Sequence, residues 1–110
     1  MGVISFYDGD NGSRNLIQEV EDMPGQNFRP RNDETFRSCI LYSVRPGCAI
    51  ALYHSPDGDK NDDYCIVNVK KSSPEYTVNS FERNYEDDYV VVSYSKIAGV
   101  YGQISRIKIN

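Results

Sequence analysis

No stretch of the chain comes near the ~18 consecutive apolar residues of a membrane-spanning helix, so a helical membrane protein is excluded and a membrane is not an expected partner. Tryptophan is absent and histidine occurs once, at His54. Lysine and arginine never cluster beyond two or three residues, and the net charge is −4. A protein that follows a phosphate backbone needs a basic stripe, so nucleic acid is not an expected partner either. Residues 1–15 have neither a basic start nor an apolar stretch, which predicts no secretory leader and a cytoplasmic location. Met1-Gly2 opens a myristoylation pattern, but Phe6 stands where serine or threonine is required. Asn11-Gly12-Ser13 fits a glycosylation acceptor that only an exported chain would use.

Cysteine is scarce as well. Cys39, Cys48 and Cys65 are odd in number and widely spaced. Zinc sites favour close pairs, and one histidine offers little help. Free thiols are the expectation without a leader, with a Cys39–Cys65 or Cys48–Cys65 bridge as the alternative. Helical patterning is nearly missing: Asn32–Ser38 offers one turn, and nothing supports a coiled coil or a βαβ unit.

What the chain does have is tyrosine, nine in all, which favours strands. It also has a fragment that occurs twice. Ile4-Ser-Phe-Tyr7-Asp-Gly-Asp-Asn11 is echoed by Ile50-Ala-Leu-Tyr53-His-Ser-Pro-Asp-Gly-Asp-Lys-Asn61. Each is an apolar strand ending in tyrosine, followed by a tight loop rich in oxygen. Val90-Val-Val-Ser-Tyr94 followed by Gly99 reads as a third, degraded echo. Strands are expected at 3–7, 16–20, 39–44, 48–53, 64–69, 76–78, 89–94 and 104–109. Turns are expected at 8–13, 23–27, 45–47, 55–63 and 72–74, and 28–34 reads as irregular, with Pro30 barred from a central strand. About eight short strands at spacings near 10 residues describe a sandwich or small barrel. Tyr7 and Tyr53 are 46 residues apart, and Tyr53 and Tyr94 are 41 apart. A unit of that length holds four short strands, a Greek key. A chain of 110 residues fits one domain, and two such units packed face to face would give it one core.

These residues resemble the βγ-crystallin superfamily. Its Greek key opens with a strand ending in Leu-Tyr or an equivalent. A later Asn/Asp-Asn/Asp-x-x-Ser/Thr-Ser signature precedes an apolar strand, and a Pro-Gly turn leads into the next unit. Val3-Ile-Ser-Phe-Tyr7 matches the opening, and Asn32-Asp33-Glu-Thr followed by Ser38-Cys-Ile-Leu41 matches the signature. Val44-Arg-Pro-Gly47 and Ala49-Ile-Ala-Leu-Tyr53 match the second opening, and Glu86-Asp-Asp88-Tyr-Val-Val91 looks like the second signature. The likeness is to non-lens, fungal members, of the kind abundant in fruiting bodies. It implies an all-β fold, a β-sandwich of two Greek-key motifs, at about 2–45 and 46–110.

The resemblance also implies calcium. That ion takes six to eight oxygen ligands, and each family site borrows them from both units. Carried over, Asp8 pairs with Asp87 and Asp88, while Asn32 and Asp33 pair with the loop after Tyr53, where Asp57, Asp59, Asp62 or Asp63 would supply the acid through a changed loop path. His54 stands where that second loop usually has a carboxylate, so the two loops are not expected to bind alike. An EF-hand is excluded: Asp57-x-Asp59-x-Asn61 has the first spacings, but Asp62 replaces the required glycine and no glutamate closes the loop. Adjacent His54, Ser55 and Asp57 make only a superficial catalytic set, so the chain is not expected to be an enzyme. The expected function is a soluble structural or storage protein that binds calcium weakly, with a second copy of the chain as a further partner. The alternative is a module that presents Tyr76, Tyr85, Tyr89, Tyr94 or Tyr101 to a carbohydrate or a protein.

Overall fold

The computed structural model describes residues 2–30, 35–58, 60, 63–96 and 104–110. The described residues form ten strands: β1 Val3–Tyr7, β2 Leu16–Glu21, β3 Gln26–Phe28, β4 Ser38–Tyr42, β5 Ala49–Tyr53, β6 Tyr64–Val69, β7 Tyr76–Val78, β8 Tyr85–Glu86, β9 Val90–Ser95 and β10 Arg106–Ile109. They build two antiparallel sheets, in the orders β2-β1-β4-β7 and β3-β10-β5-β6-β9-β8. The fold is all-β and sandwich-like, as the strand spacing predicts.

Alternation explains how the layers close. Cβ atoms point to opposite faces along a strand, so every second residue can enter one core. Ile4 and Phe6 of β1, Cys39 and Leu41 of β4, and Val78 of β7 come from the first sheet. Ile50, Leu52, Cys65, Val67, Val90, Val92, Ile107 and Ile109 meet them from the second. Phe36 and Phe81, outside the strands, fill the space beside Phe6, with ring centres 5.2 and 6.3 Å from it. All three cysteines are free thiols inside this core, so neither disulfide alternative is formed.

The two sheets repeat one arrangement. β2-β1-β4 in the first sheet matches β6-β5-β10 in the second. The third strand of each half crosses over: β3 pairs with β10, and β7 pairs with β4. The matching holds at individual bonds. Arg37 N–H donates to the carbonyl of Tyr7 at 2.9 Å, and Ser105 N–H donates to the carbonyl of Tyr53 at 2.9 Å. The hairpin β8-β9 is the departure from this repeat, attached outside β6.

Several expectations are corrected here. Residues 26–27, read as turn, and Phe28, read as irregular, form β3. It is an edge strand with one partner, so it needs no two-residue hydrophobic alternation. Residues 35–37 are not helical, and 32–34 of that expected turn lie outside the described residues. The stretch 90–94 is a strand, but it lies beside β6 rather than in the place held by β1 and β5, so it is not a third copy of the repeat.

Candidate functional site

The connections after β1 and β5 fold back over the outer faces of the sheets. After β1, a 3-10 turn at Asp10–Gly12 is held by two contacts. Asn11 N–H donates to the carbonyl of Asn79 at 2.9 Å, and Gly12 N–H donates to the buried Ser38 hydroxyl at 2.8 Å. That hydroxyl donates in turn to the carbonyl of Gly9 at 2.5 Å. After β5, Arg106 Nε donates to the carbonyl of Pro56 at 2.8 Å and Lys108 Nζ to that of Gly58 at 3.3 Å. The Lys108 ammonium also sits 5.2 Å from the ring centre of Tyr53, which the strap leaves buried.

Asp8, at the start of the first turn, is already engaged. Asn15 donates its backbone N–H to Asp8 Oδ1 at 2.8 Å and its amide to Oδ2 at 3.2 Å. The first of these bonds is the main cause holding the Asp8 carboxyl below its ordinary range. Asp57 is exposed on the strap, and its N–H donates to the Ser55 hydroxyl at 3.3 Å. That bond commits Ser55 to capping a turn. Asp87 and Asp88 are exposed in the β8–β9 connection. Asn32, Asp33, Asp59 and Asp62 lie outside the described residues. Among the described residues, no three histidine, cysteine or acidic side chains gather as a metal site.

The topology also moves the second signature. β4 lies beside β1, and the strand in the same place beside β5 is β10. Asp87 and Asp88 precede β9, which pairs with β6 and β8 and not with β5. Asp8 and Asp87 share no hydrogen-bond partner in the contacts described.

Asp87 organises a different cluster. Its Oδ1 accepts from the N–H groups of Tyr89 and Val90 at 2.8 and 2.9 Å, and its Oδ2 accepts from the Tyr76 hydroxyl. Partial burial alone would raise its carboxyl, but those three donors outweigh it and hold the group below the ordinary carboxylate value. The Tyr85 hydroxyl lies 3.4 Å from that of Tyr76, and the rings of Tyr76 and Tyr89 are tilted by 32° with centres 5.2 Å apart. Burial, helped by the bond to Asp87, pushes the Tyr76 hydroxyl well above its usual range. Cations cover the rim. Lys71 Nζ is 5.5 Å from the Tyr89 ring centre, and the Arg83 guanidinium is 5.7 Å from that of Tyr85. Lys70 pairs with Glu86 at 2.8 Å and donates to the carbonyl of Asp87 at 2.8 Å.

Three of the five tyrosines singled out in the sequence therefore meet where an edge of one sheet, β7, faces an edge of the other, β8. Tyr94 is elsewhere, with its hydroxyl 3.4 Å from Asp63 Oδ2, and Tyr101 lies outside the described residues. Lys70, Lys71 and Arg83 were not singled out. Only Arg83 had a local signal, two residues before Tyr85; Lys70 and Lys71 are five or six residues from the nearest tyrosine. No helix among the described residues is long and apolar enough to cross a membrane. No protein-family model, curated protein or solved structure matches the chain.

Proposed function

We propose that this chain is a non-catalytic structural or storage protein of βγ-crystallin type, made of two Greek keys that exchange their third strands. The observation that carries this reading is the crossover of β3 and β7 between two otherwise matching sheets. Each half completes the other's sheet, so neither buries its apolar face alone, and stability is what such an exchange supplies. Weak calcium binding belongs to the same reading, with Asp8 as its acid. An ion there competes with Asn15 for the Asp8 oxygens, which is consistent with an affinity in the millimolar range. The test is abundance. Quantitative mass spectrometry of the source cells should place the chain among their major proteins, and a trace copy number overturns a structural or storage role.

A second reading rests on the cluster of Tyr76, Tyr85 and Tyr89 around Asp87: a recognition surface for a carbohydrate. The adjoining tyrosine rings offer an apolar platform, and the neighbouring charges offer hydroxyl partners. A glycan array probed with the native chain and with Tyr89→Ala tests it. Binding that Tyr89→Ala abolishes supports this reading, and an array with no binding rejects it.

A further inference from the structure

The connection after β1 carries Asn11-Gly12, and no other asparagine in the chain precedes glycine. The pair has a chemistry of its own, because the missing Cβ lets the glycine nitrogen approach the asparagine side chain. That nitrogen attacks Asn11 Cγ and loses its proton, the Cγ–N bond of the side-chain amide breaks, and ammonia leaves. Water then opens the cyclic imide at either carbonyl. One product is aspartate. The other is isoaspartate, whose backbone runs through the side chain and is longer by a methylene.

In the fold this reaction is blocked twice. Ring closure needs the Gly12 nitrogen and the Asn11 Cβ on the same side of the Cα–C bond. Asn11 has left-handed backbone, at φ 61° and ψ 32°, which puts the two nearly opposite. The Gly12 N–H also donates to the buried Ser38 hydroxyl at 2.8 Å, and the Asn11 N–H to the carbonyl of Asn79 at 2.9 Å. Attack on Cγ therefore requires the connection to lift off the sheet. Asn11 is exposed, so water is at hand. The connection after β5 shows what an acid in this place needs. The interval from Tyr7 to Tyr53 sets Asp57-Gly58 against Asn11-Gly12. There the chain rests on cations: Lys108 donates to the carbonyl of Gly58 at 3.3 Å, and Arg106 to that of Pro56 at 2.8 Å. A Cβ on Gly12 would instead meet carbons of Ile40 and Thr77, at 2.9 and 3.6 Å. The first connection already holds Asp10, and it rests on carbon rather than on charge.

We propose that Asn11 is a site of spontaneous deamidation, held unreactive by the folded connection, and that its conversion releases that connection from the sheet. The fold sets the rate through the fraction of time the connection is open. In isoaspartate the added methylene lies between the N–H groups of residues 11 and 12, so their bonds to Asn79 and Ser38 cannot both form at the present spacing. The change is one-way, since ammonia is lost. It records openings of the first half of the molecule and leaves the connection after β5 as it was.

The test is peptide mapping by mass spectrometry after the full chain is held in warm, mildly alkaline buffer, either native or unfolded in guanidinium. Asn11 should convert at least about tenfold more slowly in the native chain. Ser38→Ala removes the acceptor of the Gly12 N–H, and while folded it should convert about tenfold faster than the wild type. Equal rates in the native and unfolded chains overturn the proposal, and so does a folded Ser38→Ala chain no faster than the wild type. If Ser38→Ala does not fold, the deamidated chain decides. Separated by ion exchange, it should show amide exchange at Gly12 accelerated by about tenfold or more, with Gly58 unchanged. Exchange at Gly12 as slow as in the unmodified chain, or an equal acceleration at Gly58, overturns the release.

Discussion

Gly12 and Gly58 hold the same place in the two halves of the molecule. The interval between them equals that between Tyr7 and Tyr53, and both adopt left-handed backbone, at φ +65° and +70°. Each lies over the outer face of a strand next to its own tyrosine strand. A Cβ on Gly12 would meet the Ile40 side chain of β4 at 2.9 Å, and one on Gly58 would meet Lys108 of β10 at 2.8 Å. The doubled fragment in the sequence is thus a doubled fold-back of the chain. What differs is the surface underneath: branched and apolar in one half, long and cationic in the other.

That difference predicts an order of stabilities. Gly47 also has positive φ, at +87°, but a Cβ there meets nothing. Gly47→Ala should therefore cost only the left-handed penalty, about 1–2 kcal/mol. Gly12→Ala adds a clash with a branched side chain packed on the sheet, about 1–3 kcal/mol more. Gly58→Ala should fall between, because the Lys108 chain end can swing away. Urea unfolding of the three variants checks the order, and Gly58→Ala as costly as Gly12→Ala would contradict it.

Ser38 supports the same turn from below. Its buried hydroxyl accepts from Gly12 N–H and donates to the carbonyl of Gly9, so Ser38→Ala strands a donor and an acceptor at once. We expect a loss of about 1–3 kcal/mol, with amide exchange at Gly12 accelerated beyond the global change. Hydrogen exchange followed by NMR separates this local opening from general destabilisation.

Eight of the ten strands were legible in the sequence, as alternating or continuous runs of apolar, β-branched or aromatic residues. β1 and β6 fall at 3–7 and 64–69 as expected, because one face of each enters the core. β3 and β8 were not legible. Unlike the equally short edge strand β7, they carry little apolar pattern, Gln26-Asn27-Phe28 and Tyr85-Glu86, and owe their existence to the partners β10 and β9. The second signature was read before β9, while the strand beside β5 is β10. Both are apolar, and only long-range pairing decides which one joins β5. Asp8 was found at its loop, but the neighbour seven residues on that claims it, Asn15, belongs to the shape of the turn. At the tyrosine cluster the rings were legible as residue types. The stacking of Lys71 and Arg83 on them depends on how the hairpin ends are aimed.

The Asp87 cluster should make stability depend on pH at both extremes. The Asp87 carboxyl is lowered in the fold, so its contribution is present above the unfolded value of about 3.9 and is lost as pH falls through the folded value. Asp87 is exposed, and solvent screening limits the effect to about 1 kcal/mol or less. Asp87→Asn should therefore flatten the acid limb of the stability profile. The hydroxyls of Tyr76 and Tyr85 are raised, chiefly by burial, so their contribution is complete below about pH 10 and is lost as pH rises beyond it. Tyrosinate absorbance should then rise in two stages, exposed rings first and the cluster together with unfolding. A single stage near the ordinary value would show that the cluster does not hold in solution.

The thiols provide a last test, of the core itself. Burial pushes Cys65 up to about 12 and raises Cys39 well above its ordinary value, so neither supplies thiolate near neutral pH. Cys48 is also raised by burial, but the charge of Arg45 beside it opposes the shift. Labelling the native chain with a disulfide reagent in mildly alkaline buffer should be slow at all three, with Cys48 reacting first. Urea should release all three together, because they sit in one cluster spanning both sheets. Arg45→Met removes the opposing charge and should slow Cys48 relative to the wild type. If Cys39 or Cys65 labels before Cys48 in the native chain, the two sheets do not close over that core as described.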